Sequence, residues 1–170
     1  MKVTIFNAMT IDGFIAAKNG DTSWVRDWDE YNKTVEQYDA VIYGRRTYGS
    51  MIEAETPMPQ IDNFVFTSTP SEIGTTVDST SFVNDLPANI IKDITSKGFT
   101  NILIAGGSRT NAAFLNSGVV NEVIINIHPL ILGDGIKLFN SQEVRVKLKK
   151  IGQKNLHDDI LQIKYKVIKV

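Results

Sequence analysis

The chemistry in this sequence gathers where predicted strands run into glycine. In Ile102–Leu115 (ILIAGGSRTNAAFL) the run Ile102 to Ala105 reads as a buried strand, because it is apolar and shows no polar alternation. Gly106 and Gly107 follow, then Ser108, Arg109, Thr110 and a helical run that stops at Gly118. A helix that starts behind glycines presents unpaired N–H groups and the positive end of its dipole, and both favour a phosphate. The same two glycines could simply turn a tight corner, since a Gly-Gly pair is less specific than three spaced glycines. The second junction is more informative. Asp39–Tyr43 (DAVIY) reads as a short buried strand and leads into Gly44, Arg45, Arg46, Thr47 and Tyr48. Cations at a helix N-terminus oppose the dipole, so two arginines there fit an anionic ligand better than a solvated helix start. Guanidinium groups pair with phosphate through charge-assisted hydrogen bonds. Two glycine-ended junctions, one with arginines, make a clamp for a ligand carrying several phosphates.

The bulk composition bounds what else the chain does. Its 170 residues, 42% hydrophobic and 22% charged, suit one domain with a sizeable core and argue against disorder. A net charge of −1 gives no basic footprint for nucleic acid. No apolar run approaches the ~18 residues of a membrane span. The absence of cysteine excludes a disulfide scaffold, thiolate metal sites and thiol catalysis, and two histidines argue against a multi-histidine zinc site. Met1-Lys2 passes straight into an alternating strand rather than a signal-peptide core, so a cytoplasmic location is expected.

The elements that must position the two junctions follow in order. Lys2–Ala8 alternates Val3, Ile5 and Asn7 against Thr4, Phe6 and Ala8 and reads as a strand. It feeds a loop, Met9–Thr22, punctuated by Asp12-Gly13 and Asn19-Gly20, which frame a short Phe14-Ile15-Ala16 ribbon or a flap over a pocket. A helix is expected next, N-capped by Ser23, with Trp28, Tyr31, Val35 and Tyr38 as its core stripe. After Gly44 a helix runs until Pro57 and Pro59 break it, and Asn63–Ser68 forms a strand closed by Thr69-Pro70. Thr75–Val83 holds one or two short strands. Pro87 and Gly98 bracket a helix, Ala88–Lys97, whose inner face is Ile90, Ile91 and Ile94. Glu122–Ile127 is a strand, followed by His128-Pro129, read as a structural strand end, and a loop in which Asp134 forms a turn. Val144–Ile151 and Ile160–Val170 read as an antiparallel ribbon separated by QKNLHDD. Strands alternating with helices, then an antiparallel pair, predict a single-domain α/β fold: a mixed, mostly parallel sheet flanked by helices with a C-terminal antiparallel hairpin.

In order and spacing, FNAMTIDGFIA, YGRRTY, FVFTS, IAGGSRTNAAFL and VNEVIINIHPLILGDGIKLF resemble the dihydrofolate-reductase-like fold. The resemblance is closer still to the reductase domain of riboflavin biosynthesis and its stand-alone relatives. It implies a sheet of about eight strands and an NADPH-dependent reductase, with 5-amino-6-(5-phosphoribosylamino)uracil reductase as the model activity and a homodimer as the expected assembly. Carried over by residue, Ala8 would meet the nicotinamide carboxamide and Ile15 would flank the ring. Gly44, Arg45, Arg46 and Thr47 would hold the pyrophosphate and the adenosine 2′-phosphate, while Thr67 and Ser68 lie against the adenosine. Gly106, Gly107, Ser108, Arg109 and Thr110 would cradle the pyrophosphate.

The substrate half of the resemblance is thinner. Dedicated riboflavin-pathway members carry an arginine-containing motif, roughly D-N-P-x-L-T-x-R, where this chain has TYGSMIEAETPMPQIDN, with no arginine. A folate-type enzyme instead carries a lone pocket carboxylate. Trp24, Asp27, Asp29 and Glu30 sit about where it would be, which makes Asp27 and Asp29 the candidate acids; acids in a helix first turn also suit the dipole without any catalytic role. The expected function is hydride transfer to a heterocyclic or imine-type substrate. Its alternatives are a pterin- or folate-type reductase and a non-catalytic nucleotide-binding module on the same fold.

Overall fold

A computed structural model describes residues 1–56, 60–140 and 144–168. In chain order the elements are β1 (Lys2–Thr10), β2 (Phe14–Ala16), α1 (Trp28–Val35), β3 (Ala40–Gly44), α2 (Arg45–Glu53), β4 (Asp62–Phe66), β5 (Thr80–Val83), α3 (Pro87–Ser96), β6 (Asn101–Ile104), α4 (Ser108–Asn116), β7 (Glu122–His128), β8 (Ile136–Lys137), β9 (Lys147–Asn155) and β10 (Leu161–Ile168). Eight of the strands form one sheet in the order β5-β4-β3-β6-β1-β7-β10-β9. Neighbours from β5 through β7 are parallel, and β10 runs antiparallel to both β7 and β9. This is the mixed, mostly parallel sheet with a C-terminal hairpin that the element pattern predicts.

The central strands are apolar on both sides because helices cover both faces. One core gathers Val3, Ile5, Ile42, Ile102 and Ile104 beneath Ile90, Ile91 and Ile94 of α3 and Phe114 and Leu115 of α4. The other gathers Phe6, Val41, Tyr43 and Leu103 beneath Tyr31 and Val35 of α1 and Tyr48 and Met51 of α2. Thus α2 and α4, which follow the neighbouring strands β3 and β6, lie on opposite faces. Their first turns therefore meet at the carboxyl ends of the two strands, the end at which open α/β sheets take their ligands.

Several local expectations change in the fold. Ser23 does not cap α1: its N–H donates to Asp21 Oδ1 at 3.0 Å in a turn, and the cap position belongs to Asp27. The stripe is accordingly core only in part, with Tyr31, Val35 and Tyr38 buried and Trp28 39% exposed. Helix α2 stops at Glu53, with Glu55 left-handed at φ 51°, ahead of Pro57 and Pro59, which lie outside the described residues. Thr75–Val83 yields a single strand, β5. Phe14–Ala16 forms the expected short ribbon, with Ile136–Lys137 as its partner strand. The loops around that ribbon are tied by Asp12, which accepts from Thr10 Oγ1 at 2.6 Å and from Gly133 N at 2.7 Å, and by the Lys18–Asp134 ion pair.

The hairpin also shifts along the chain. Strand β9 begins at Lys147 and continues through Gln153 to Asn155, where a loop was expected. It is an exposed edge rich in lysine, so apolar alternation marks it poorly. The turn is made instead by Asp158 and Asp159, both at positive φ, and closed by Leu156 N–H on Ile160 O at 2.8 Å. Residues 169–170 of the second expected strand lie outside the described residues. Among the described residues no helix is long and apolar enough to cross a membrane.

Candidate active site

The two glycine junctions meet. Gly44 is the N-cap of α2 and Gly107 the N-cap of α4, and neither helix has a side-chain cap. The Gly44 N–H donates to Gly106 O at 2.6 Å, and the Gly106–Gly107 peptide is cis. The helix starts interlock reciprocally. A Cβ at Gly44 would overlap Thr110 Oγ1, and one at Gly107 would lie 2.8 Å from Thr47 Oγ1, so the third residue of each helix occupies the space beside the other's glycine. A Cβ at Gly106, at φ 97°, would come within 2.8 Å of Asn7 Nδ2. The room left by the missing side chains is filled by threonine hydroxyls, while the first-turn N–H groups of both helices have no side-chain cap.

Around this knot lie buried polar atoms without a protein partner. Ser108 is 6% exposed and its Oγ has none; nor does Oδ1 of the fully buried Asn111, whose Nδ2 donates to Asn7 Oδ1 at 2.7 Å and Leu138 O at 3.1 Å. Arg45 is half-buried, and Arg46 and Arg109 are exposed. Thr67 and Ser68 follow β4, whose last pair with β3 is Phe66 beside Gly44, so they share the carboxyl end of the sheet. Thr67 is buried and its Oγ1 accepts from Thr69 N–H at 3.0 Å, while Ser68 is exposed. Ala8 lies on β1 opposite Asn126, and Ile15 packs against the core from β2.

The two candidate acids part company. Asp29 is exposed in the first turn of α1, where it suits the helix dipole. Asp27 is 1% exposed. Its Oδ2 accepts a short hydrogen bond from Asn126 Nδ2, and its Oδ1 lies 3.3 Å from His128 Nε2. His128, 3% exposed, is therefore more than a strand end: Nδ1 lies 3.2 Å from Asn126 O, Nε2 accepts from Arg26 N–H at 3.3 Å, and Trp24 stands edge-on to its ring. Trp24 Nε1 is buried without a partner. Outward, Gln162 Nε2 donates to Asn126 Oδ1 at 2.9 Å and Glu30 Oε1 at 3.3 Å, and Glu30 pairs with Lys154.

Sequence reasoning missed Asn126 and Gln162 in this group and gave His128 too small a part. A signal was present, since Asn126 and His128 share strand parity in the otherwise apolar EVIINIH and so face the same side. Nearby, the Tyr31 and Tyr43 hydroxyls bond at 2.8 Å. Burial pushes the Tyr31 phenol up to about 12, partly offset by that bond, and burial raises Tyr43 well above the usual phenol range.

Comparison with known proteins bears on the family and the fold. The uncharacterized protein YyaP of Bacillus subtilis is 30% identical over 173 aligned residues, covering 93% of this chain and 90% of the relative. The structure of a putative riboflavin biosynthesis protein from Shewanella sp. PV-4 matches with TM-score 0.81 at 26% identity, over 99% of this chain and all of that one. A dihydrofolate reductase from Enterococcus faecalis complexed with NADP(H) matches with TM-score 0.69 at 15% identity, over 98% of this chain and 96% of that one, a likeness of fold alone. The family model for the RibD C-terminal domain matches residues 1–162, from the first strand through the hairpin, and the chain belongs to that family.

Proposed function

We propose that this chain is an NADPH-dependent reductase that reduces a small heterocyclic or imine-type substrate. The observation that carries the reading is the interlocked pair of glycine-capped helix starts at the carboxyl ends of β3 and β6, with Arg45 and Arg46 at one of them. The residues present fit the cofactor: two uncapped helix N-termini and the orphaned Ser108 hydroxyl supply donors for phosphate oxygens, and the arginines supply charge. When bound, NADPH supplies the hydride, and the protein supplies binding and orientation. Gly44, Arg45, Arg46 and Thr47, with Gly106, Gly107, Ser108, Arg109 and Thr110, would hold the phosphates. Thr67 and Ser68 would lie toward the adenosine, and Ala8 and Ile15 beside the nicotinamide. Asp27 would serve as the acid of the site; Asp29, exposed, is the weaker candidate.

The Shewanella relative's name supports a riboflavin-pathway type of substrate. The stretch without an arginine favours a second reading, a nucleotide-binding module that has lost turnover, and the buried acid at the N-cap of α1 favours a pterin-like substrate. Turnover on pterins and ribosylaminopyrimidines separates these readings. A cytoplasmic homodimer is proposed with it, paired through the β9 edge where Leu148 and Ile151 are exposed, and a mass measurement in solution tests that assembly.

The first experiment is titration with NADPH and NADH. The two cofactors differ by the ribose phosphate, and one charge-assisted contact of about 1.5–3 kcal/mol implies roughly ten- to hundred-fold preference for NADPH. Arg45→Ala with Arg46→Ala should collapse that preference while weakening NADH less. Added salt should erode NADPH affinity more than NADH affinity. Equal dissociation constants for the two cofactors in the unmodified protein would sink the assignment.

A further inference from the structure

We propose that Asp27 and His128 share a single proton, and that a chain of side chains running inward from the Lys154–Glu30 ion pair fixes its place between Asp27 Oδ1 and His128 Nε2. The proton's use in a reduction rests on the reductase reading; its location does not.

The argument starts at the surface and moves in, because donor and acceptor identity passes along the chain without choice. Glu30, ion-paired with Lys154, presents carboxylate oxygens that accept hydrogen bonds. The Gln162 atom that faces it at 3.3 Å must therefore be the amide nitrogen. That nitrogen also lies 2.9 Å from the Asn126 side chain, so Asn126 presents its oxygen there. Its NH₂ is thereby turned toward Asp27, and Asp27 Oδ2 has to accept. If Asp27 carries a proton, only Oδ1 can hold it, and Oδ1 faces His128 Nε2 at 3.3 Å.

The imidazole is constrained from its other side. Nδ1 lies 3.2 Å from the Asn126 carbonyl oxygen, which is an acceptor, so Nδ1 is the protonated nitrogen. A neutral ring then has a bare Nε2, which accepts from Arg26 N–H. Against an ionised Asp27 this would set lone pair against lone pair in a site where the two residues are 1% and 3% exposed. One proton removes the conflict: it sits on Oδ1 and donates to Nε2 beside the Arg26 N–H, or it sits on Nε2, which then gives up the Arg26 N–H, and donates to Oδ1. The total is the same in either place.

His128 is thus a positioning residue for Asp27, as are Asn126, Gln162 and Glu30 at increasing distance. A reduction of a C=N bond adds hydride to carbon and a proton to nitrogen. The stored proton supplies the second part: the Oδ1–H bond breaks, an N–H bond forms on the substrate, and solvent later restores the proton. The substrate class this favours is a neutral acceptor that gains a proton as it is reduced.

Nuclear magnetic resonance of ¹⁵N-labelled protein at neutral pH tests the inference without substrate or cofactor. The chain has two histidines, and a His157→Gln variant, changed at an exposed position, assigns the His128 signals. The expected spectrum shows Nδ1 protonated and a strongly downfield proton coupled to Nε2. A neutral ring protonated at Nε2 with a bare Nδ1 would overturn the proposal. Asp27→Asn should erase the downfield proton while keeping Nδ1 protonated; persistence of that proton would equally overturn it. Gln162→Leu frees the Asn126 amide to turn, so the downfield proton should shift or broaden, with NADPH affinity unchanged within about two-fold. An unchanged signal in that variant would refute the orienting chain. Lack of NADPH binding would instead defeat the reductase reading and leave these spectra to stand by themselves.

Discussion

Around Gly44 and Gly107 the protein brings two helices together by omitting side chains, whereas around Asp27 it joins four elements through a network of polar side chains. At the glycine knot each helix start is a short contiguous stretch, Gly44 to Thr47 and Gly107 to Thr110, and the fit depends on van der Waals space. At the acid, Asp27 before α1, Asn126 and His128 on β7, Gln162 on β10 and Lys154 on β9 meet only because the sheet places β7 beside β10 and β10 beside β9. The first region offers backbone N–H donors that need no particular protonation state. The second holds a proton, and needs every donor and acceptor accounted for. The contrast teaches that a phosphate cradle is a property of local chain geometry, and an acid site a property of assembly.

The seam between the regions gives the largest expected effect. Tyr31 of α1 and Tyr43 of β3 bond across it, and both phenols are raised by burial, Tyr31 to about 12. The unfolded chain releases these protons near the usual value of 10, and the folded chain keeps them. Their contribution is therefore complete below pH 10 and is lost as pH rises toward 12, by about 1.4 kcal/mol per pH unit for each phenol. Chemical denaturation between pH 9 and 12 reads the slope (about one decade of unfolding constant per unit per phenol). A Tyr31→Phe variant should reduce it; an unaltered slope would mean that the two regions separate without this bond.

Next comes the polar side of the comparison. Asn126→Leu leaves the buried Asp27 Oδ2 without its donor, and should cost about 3 kcal/mol in urea unfolding. NADPH affinity should hold, since the glycine knot is untouched. A loss of cofactor affinity equal to the loss of stability would show that the regions are not independent.

The glycine side should yield somewhat less. Gly44→Ala forces a methyl against Thr110 Oγ1 and should cost about 2 kcal/mol, a typical overpacking penalty. Adding Thr110→Ala should return part of it, and a double-mutant cycle measures the coupling. Strict additivity would mean that the glycine is there for the ligand rather than for the neighbouring helix.

The smallest effect lies outside both regions. Asp39 accepts from Thr100 N–H at 2.8 Å and Asn101 N–H at 2.9 Å, and these backbone bonds hold its carboxyl below the ordinary value of 3.8. A depressed acid stabilises above its unfolded value and loses that contribution as pH falls through the folded one. Asp39→Asn should therefore lower stability at pH 7 by less than about 1 kcal/mol, given solvent screening, and make no difference in strong acid. An equal deficit at pH 2 would assign the effect to something other than charge.

What the sequence determined by itself was the frame and the two glycine junctions. Buried strands such as Ile102 to Ile104 announce themselves by composition, and a glycine at the end of one implies a helix start, because both signals reside in a few adjacent residues. The family motifs fell in the same stretches for the same reason. Tertiary structure decided the rest. Only packing could reveal that Thr47 and Thr110 fill each other's glycine gaps, since the two junctions are far apart in the chain. Only the antiparallel register of β10 against β7, which sets Gln162 beside Asn126, could carry polarity from a surface ion pair to Asp27. Local order is written in neighbouring residues, whereas the burial of a charge and the partner that makes it tolerable depend on which strands lie side by side.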